Sequence, residues 1–142
     1  LDPDPLAVIV SARLDLAADL PILGVPEQRV VIGTHSDAEL PDVAAEVAYE
    51  RTGDDLALLL ARLRERHGVR SVVCEGGPTL NSHLFAAGLV DELWLTLNPK
   101  VAGGAAALTI VAGGELSAPT ELEPVSIATG QGDLFTRWRV VQ

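Results

Sequence analysis

Ser71-Val72-Val73-Cys74-Glu75-Gly76-Gly77-Pro78-Thr79-Leu80-Asn81 is the stretch around which the other elements of this chain are arranged. Its pattern predicts a short apolar strand over residues 71–75, a turn at the two glycines, and a helix that begins at Pro78, since proline suits the first helical position. A helix N-terminus preceded by glycines presents backbone N–H groups beside the positive end of the helix dipole. The stretch therefore predicts a site for a phosphate or pyrophosphate.

A tight crossover turn is the alternative interpretation of the two glycines, because left-handed backbone geometry costs glycine little. Neither the G-x-G-x-x-G fingerprint nor the P-loop G-x-x-x-x-G-K-[ST] is present, so a nucleotide site here would be of another type. Two residues favour a ligand site. The Thr79 hydroxyl lies in the first helical turn, and Glu75 lies at the carboxyl end of the predicted strand, where open α/β sheets bind ligands. From the pattern alone, both interpretations stay open.

Apolar runs of strand length flank this stretch on both sides. Continuous apolar runs before it are typical of parallel strands that are covered on both faces. Alternating runs after it, the last two separated by a glycine-containing turn, predict antiparallel strands. The strands are predicted at residues 6–11, 29–33, 45–49, 71–75, 91–98, 121–129 and 134–141. Residues 43–50 also allow a helix, because alanine and glutamate favour one, but their length and pattern favour the strand at 45–49. The sequence thus predicts an α/β fold with a mostly parallel sheet that ends in an antiparallel C-terminal hairpin.

Two helices are predicted between these strands. The first carries one apolar stripe, because leucines recur at helical spacing at positions 56, 59, 60 and 63. Asp54 is its predicted N-cap and Gly68 its C-terminal stop. The second helix is predicted over residues 78–87, and Gly88 followed by Leu89 indicates a Schellman motif at its end.

Composition narrows the classes of function. The 142 residues suit a single domain, and the net charge of −10, without a visible basic face, argues against nucleic-acid binding. No apolar run is long enough to predict a membrane span. A single cysteine, Cys74, suits a reducing, cytoplasmic location. We predict Cys74 to be buried and inert within its strand, and Trp94 and Trp138 to be packing residues.

Polar residues at the ends of the first two strands form a second candidate site. Ser11 and Arg13 follow the first strand and Thr34 follows the second. A guanidinium fork matches phosphate oxygens, so this group suits a ribose 2′-phosphate, although an ordinary surface arginine is the alternative. The three histidines are scattered, and we predict no metal site.

Three blocks of this sequence resemble the reductase domain of riboflavin biosynthesis. They are Val73–Asn81, Ala87–Leu93 and Asn98–Gly104, and they follow one another in the order and spacing of that family. The similarity extends from about Leu6 to the C-terminus. It implies a dihydrofolate-reductase-like fold, a three-layer α/β sandwich.

The resemblance also implies an activity and a site. Family members reduce the ribosylamino group of a 5-amino-6-ribosylamino-pyrimidine 5′-phosphate to a ribitylamino group with hydride from NADPH, and they are commonly homodimers. By motif matching, Glu75 would face the substrate, and Ser11 and Arg13 would lie near the adenosine 2′-phosphate. Thr34, at the end of the second strand, is a further cofactor-binding candidate from its position alone. The cofactor would be held by Gly76, Gly77, Pro78, Thr79, Leu80 and Asn81. No residue is assigned as the proton donor.

One departure from the family concerns the region before the first strand. Family members carry there a strand–helix–strand unit that supplies most substrate contacts, and its motifs are not found in residues 1–142. The chain is therefore expected to be a single domain, the C-terminal portion of a reductase domain, and to be inactive alone. A pterin or dihydrofolate reductase, and a non-catalytic nucleotide-binding module, remain alternatives.

Overall fold

The structure, a computed structural model, describes residues 5–17, 19–101, 109–114 and 116–141. The chain divides into two units, Leu1–Val72 and Val73–Gln142.

The first unit is built on a parallel sheet with β2 at its centre. Its strands are β1 (Ala7–Val10), β2 (Arg29–Gly33) and β3 (Glu46–Glu50), in the order β1-β2-β3. Val30, Val31 and Ile32 of β2 are at most 1% exposed, as expected for a strand covered on both faces. The three predicted parallel strands are confirmed, including the one predicted at residues 45–49.

Different elements cover the two faces of β2. On one face Val30 and Ile32 pack against Leu23, which lies in a short 3₁₀ helix, Pro21–Gly24, that the sequence did not predict. On the other face Val31 packs against the predicted leucine stripe of helix α1, Leu56–His67. Gly33 permits this close approach, because a Cβ atom there would lie 2.7 Å from Cδ2 of Leu59.

Helix α1 begins one residue later than the sequence predicted. Its N-cap is Asp55, whose carboxylate accepts a hydrogen bond from the Leu58 N–H at 2.8 Å. The prediction of Asp54 as the cap is wrong, because its carboxylate turns away to pair with Nε2 of His35 at 2.7 Å. The predicted stop is confirmed, since Gly68 adopts the left-handed conformation with φ of 69°.

Alanine substitutions are expected to distinguish the contributions of these two neighbouring aspartates to stability. Asp55→Ala is expected to lower the free energy of unfolding by about 1 kcal/mol, because the first turn of α1 loses its side-chain acceptor. Asp54→Ala is the matched control and is expected to have the smaller effect, since its side chain is 88% exposed. Urea denaturation of both variants measures the difference. A larger loss for Asp54→Ala would contradict the assigned cap.

A buried carboxylate ties β3 to α1. Glu50, the last residue of β3, is 3% exposed. Its Oε2 lies 3.3 Å from Nη1 of Arg62 and 3.0 Å from Nη1 of Arg66, and its Oε1 lies 3.0 Å from Nε2 of His67. All three partners are on α1, so the charge of Glu50 is compensated from one side by the last two turns of the helix.

The second unit contains helix α2 and an antiparallel sheet. Helix α2 spans Pro78–Ala86, and Gly88 and Leu89 close it in the predicted Schellman motif, with the Leu89 N–H bonded to the Leu84 carbonyl at 3.0 Å. The sheet has the order β4-β6-β5. Its strands are β4 (Glu92–Leu97), β5 (Leu122–Gly130) and β6 (Asp133–Val140). The predicted C-terminal hairpin is thus confirmed.

The two faces of the antiparallel sheet differ in burial. Leu93 and Leu95 share the more buried face with Thr136 and Trp138, as the register of β4 with β6 requires. Trp94 points to the opposite face and is 67% exposed. The prediction of Trp94 as a packing residue is therefore wrong, because strand alternation places it away from the leucines.

The segment Ser71–Glu75 departs most from its prediction. It belongs to neither sheet, and Val73 is 88% exposed. Cys74 is also exposed, so its predicted burial is wrong. A β-branched run favours extended backbone, but a strand forms only by hydrogen bonding to a neighbouring strand, which the run itself does not specify.

Candidate functional site

The N-terminus of α2 presents backbone donors from which no described residue accepts a hydrogen bond. Gly77 is the N-cap, with φ of −73° and ψ of −177°, and it offers no side chain to accept from the first turn. Pro78 has no N–H, and the Asn81 N–H bonds to the Gly77 carbonyl at 3.0 Å. By helix geometry, the donors left to a ligand are the N–H groups of Thr79 and Leu80. Such donors, together with the helix dipole, suit an anion.

Among the described residues, nothing occupies the space where a side chain at Gly77 would lie. A Cβ atom built on Gly77 would meet no atom within 4 Å. Thr79 is exposed, so its hydroxyl is accessible beside the two N–H groups. Gly76 has φ of 96°, a conformation that favours glycine, and the Gly76–Gly77 peptide bond is cis. Among the described residues, no side chain covers the helix terminus at the two glycines, and the predicted phosphate site there stays a prediction.

A second glycine-containing loop, residues 109–114, lies beside this terminus. The Ala112 N–H donates to the Pro78 carbonyl at 3.1 Å, and the Ser82 hydroxyl donates to the Gly114 carbonyl at 3.3 Å. A Cβ atom on Gly113 would lie 3.8 Å from Cγ2 of Thr79. Residues 109–114 therefore form a wall next to the open donors. Sequence reasoning missed this wall, although the Gly113-Gly114 pair was a signal of a close approach.

Asn81 connects the wall to the preceding segment. Its Nδ2 donates to the Ile110 carbonyl at 2.8 Å, and its Oδ1 accepts from the Cys74 thiol at 3.7 Å. The side-chain amide is thus used within the protein. The predicted contact of Asn81 with a cofactor stays a prediction, and the structure gives the residue a positioning role.

Removal of the Asn81 donor is expected to loosen the wall. Asn81→Asp places a carboxylate against the Ile110 carbonyl, and we expect amide exchange at Ala112 to accelerate about tenfold, in line with one lost hydrogen bond. Hydrogen exchange followed by mass spectrometry measures this rate. Ser82→Ala, which removes only the bond to Gly114, is the control and should have a smaller effect at Ala112. Unchanged exchange in Asn81→Asp would contradict the positioning role.

The second predicted group lies in the first unit. The Ser11 N–H donates to the Gly33 carbonyl at 2.9 Å, which fixes the end of β1 beside the end of β2. The Thr34 hydroxyl is buried, donates to the Ala12 carbonyl at 3.1 Å and accepts from the Ser36 N–H at 3.1 Å. Arg13 follows in an exposed turn. The structure therefore brings Ser11, Arg13 and Thr34 to one edge of the parallel sheet. The buried Thr34 hydroxyl stabilises the backbone at that edge through its two hydrogen bonds.

Glu75 and residues 76–81 lie in the second unit, whereas Ser11, Arg13 and Thr34 lie in the first. Glu75 is exposed immediately before the glycines. The Asn98–Gly104 block extends into residues 102–108, which lie outside the described residues.

Among the described residues, no group of His, Cys, Asp or Glu is arranged to hold a metal ion, and no helix has the length and apolarity to cross a membrane.

Comparison with known proteins assigns nearly the whole chain to one protein family. A family model described as the RibD C-terminal domain matches residues 2–136. A 2,5-diamino-6-ribosylamino-4(3H)-pyrimidinone 5′-phosphate reductase from Methanothermobacter thermautotrophicus is 35% identical over 116 residues, which are 78% of this chain and 53% of that protein. The protein of the same name from Archaeoglobus fulgidus is 30% identical over 141 residues, 95% of this chain and 63% of that protein.

The fold is shared with solved structures. Acinetobacter baumannii RibD superposes with a TM-score of 0.77 at 23% identity, over 94% of this chain and 37% of that one. The α/β fold predicted from the sequence is thus confirmed as that of RibD. The chain spans 53% and 63% of the lengths of the two archaeal reductases.

Proposed function

This chain belongs to the RibD C-terminal domain family, and we propose that it is the C-terminal portion of an NADPH-dependent reductase domain. Its substrate is a 5-amino-6-ribosylamino-pyrimidine 5′-phosphate, of the class named in its archaeal relatives. The observation that carries the proposal is the N-terminus of α2, where no described residue accepts from the N–H groups of Thr79 and Leu80, Thr79 is exposed, and residues 109–114 lie alongside.

The residues present fit a nicotinamide dinucleotide. The chain carries a net charge of −10, so a polyanionic cofactor needs strong local donors, and the first turn of α2 supplies them. Gly76 and Gly77 let a pyrophosphate approach the backbone closely, and Gly113 and Gly114 add no side chain on the adjacent wall. Pro78, Leu80 and Asn81 hold the shape of this turn.

A second contact is proposed at the edge of the parallel sheet. Ser11 and Arg13 bind the adenosine 2′-phosphate, and Thr34 supports them from below through its bond to the Ala12 carbonyl. The exposed guanidinium of Arg13 matches phosphate oxygens bidentately. The proposed contact predicts a preference for NADPH over NADH, since NADH has no 2′-phosphate.

When bound, NADPH supplies the hydride that converts the ribosylamino group into a ribitylamino group. The contribution of this chain is positioning, since hydride transfer requires that donor and acceptor carbons be aligned. The exposed carboxylate of Glu75 orients the substrate from the residue immediately before Gly76. We propose in addition that the protein acts as a homodimer, and that it works in the cytoplasm, as its single cysteine suggests.

The test uses the intact protein that contains this chain. Absorbance at the nicotinamide band is followed with the ribosylamino-pyrimidine phosphate and, separately, with dihydrofolate as substrates. Oxidation of NADPH with the first alone supports the proposal, and oxidation with dihydrofolate alone would replace it by a pterin reductase. Binding of NADPH without turnover of either would indicate a nucleotide-binding module instead.

A further inference from the structure

His35 lies at the edge of the parallel sheet that carries the proposed 2′-phosphate contacts, and it takes no part in those contacts. Its backbone N–H donates to the Ala12 carbonyl at 3.0 Å. Ala12 separates Ser11 from Arg13, so this bond holds the start of the loop after β2 against the turn that bears both residues. The imidazole itself is exposed. It is therefore an accessible polar group beside the proposed adenosine site.

Asp54 holds this imidazole in one orientation. Its Oδ1 lies 2.7 Å from Nε2 of His35. Gly53, which precedes it, has φ of 63°, and a Cβ atom there would lie 3.8 Å from Cε1 of His35. The ring thus lies against the loop that leads into α1. A pair between two exposed groups contributes little to folding stability, so the main effect of the pair is to orient the ring.

The bond at Nε2 decides what the other ring nitrogen can do. A carboxylate only accepts hydrogen bonds, so in the neutral imidazole Nε2 carries the hydrogen atom and Nδ1 carries a lone pair. Among the described residues, none bonds to Nδ1 of His35. A phosphate oxygen without a proton has no hydrogen atom to donate to this nitrogen. The group that Nδ1 binds must therefore be a donor, an O–H or an N–H.

We infer that His35 is a specificity-determining residue for the adenosine half of the cofactor, and that its Nδ1 accepts a hydrogen bond from an adenosine donor. Adenosine 2′-phosphate offers two kinds of donor, the ribose 3′-hydroxyl and the 6-amino group of the base. The guanidinium of Arg13 then binds the phosphate, and the imidazole recognises the nucleoside. Asp54 is a positioning residue, since it acts through the ring. This inference rests on the proposed function, which places the adenosine beside Arg13.

Isothermal titration calorimetry of the intact protein with NADPH tests the inference. His35→Phe keeps a ring but removes both nitrogens, and we expect it to raise the dissociation constant about fivefold to tenfold, the effect of one lost hydrogen bond. Asp54→Ala should raise the dissociation constant less. The double variant should bind NADPH no more weakly than His35→Phe does, because the effect of Asp54 passes through the ring.

Glu39→Ala is the matched control for the removal of an acidic group. Glu39 is exposed in the loop after β2, and its carboxylate lies 3.9 Å from Nη2 of Arg51 and makes no bond to His35. Both substitutions change the net charge of the chain by the same amount. Glu39→Ala should therefore leave the dissociation constant for NADPH close to that of the unmodified protein, and a loss equal to that of Asp54→Ala would overturn the positioning role.

Two further ligands identify the donor. NADH keeps both adenosine donors but lacks the 2′-phosphate, so His35→Phe should weaken NADH binding by the same factor as NADPH binding. Nicotinamide hypoxanthine dinucleotide phosphate, in its reduced form, lacks the 6-amino group. If His35→Phe weakens its binding as well, the donor is the ribose hydroxyl, and if His35→Phe has no effect on its binding, the donor is the amino group. Either result supports the inference.

Three outcomes would overturn the inference while leaving the proposed cofactor site in place. They are unchanged NADPH affinity in His35→Phe when Arg13→Ala weakens binding, a tighter complex in Asp54→Ala, and a loss in His35→Phe that is confined to NADPH. Absence of NADPH binding by the unmodified protein would refute both the inference and the proposed function. Thermal unfolding checks that each variant folds, and His35→Ala replaces His35→Phe if the larger ring does not fit.

Discussion

Gly77→Asp is expected to weaken NADPH binding by the intact protein at least tenfold, about 1.4 kcal/mol or more. The new carboxylate would stand at the N-cap of α2, where an added Cβ meets no atom within 4 Å. It would accept from the same N–H groups that we propose for the cofactor phosphates, and it would repel their charge. Since aspartate is a good N-cap, the helix itself should be as stable as before. Isothermal titration calorimetry measures the affinity, and thermal unfolding measures the stability.

Gly77→Ala is the control for this variant. Alanine adds a methyl group into open space and no charge, so NADPH affinity should fall much less than in Gly77→Asp. Equal losses in both variants would indicate that the backbone at Gly77, and not an anion site, sets the affinity. Unchanged affinity in Gly77→Asp would refute the proposed phosphate site at α2.

Glu50→Gln is expected to lower the free energy of unfolding by about 2 kcal/mol. The amide keeps the shape of the side chain but leaves the guanidinium groups of Arg62 and Arg66 without their buried counter-charge. Both arginines are partly exposed, so water recovers some of the loss. Urea unfolding of the variant measures the change.

The same cluster predicts how stability depends on pH. Burial raises the pKa of Glu50, but the hydrogen bond from His67, the charge of Arg66 and the hydrogen bond from Arg62 outweigh it, and the pKa lies below its ordinary value of 4.5. The carboxylate therefore stabilises the fold at pH values above 4.5, and this contribution is lost as the pH falls through the lower, folded-state pKa. Glu50→Gln should lose less stability on acidification than the unmodified protein.

Glu46→Gln is the matched control for both measurements. Glu46 begins the strand that Glu50 ends, and its side chain is exposed. The same substitution there should change stability little and leave the acid dependence intact. A similar loss of stability in both variants would show that the change in the net charge of the protein, and not the contact of Glu50 with α1, lowers the free energy of unfolding.

The sequence predicted those elements whose burial is encoded locally. The apolar run of β2 and the leucine stripe of α1 each specify their own covered faces, and Gly68 specifies its turn. The open N-terminus of α2 followed from Gly77 and Pro78 for the same reason. Such features depend on neighbours only a few residues away.

The features that the sequence did not reveal depend on distant neighbours. Residues 71–75 have the composition of a strand, but composition does not supply the pairing that a strand needs. The wall at residues 109–114 is fixed by Asn81 and Ile110, which are 29 positions apart. The exposure of Trp94 depends on which face of the sheet other elements cover. Alternation in the sequence separates the two faces but does not show whether the face that carries Trp94 is covered.

The exposed position of Cys74 offers a practical route to the ligand site. It is the single cysteine among the 142 residues, and it lies three positions before Gly77. A maleimide fluorophore would therefore attach to this chain at one defined place without any mutation. Emission from that label, recorded during a titration with NADPH, would report binding at α2 in real time.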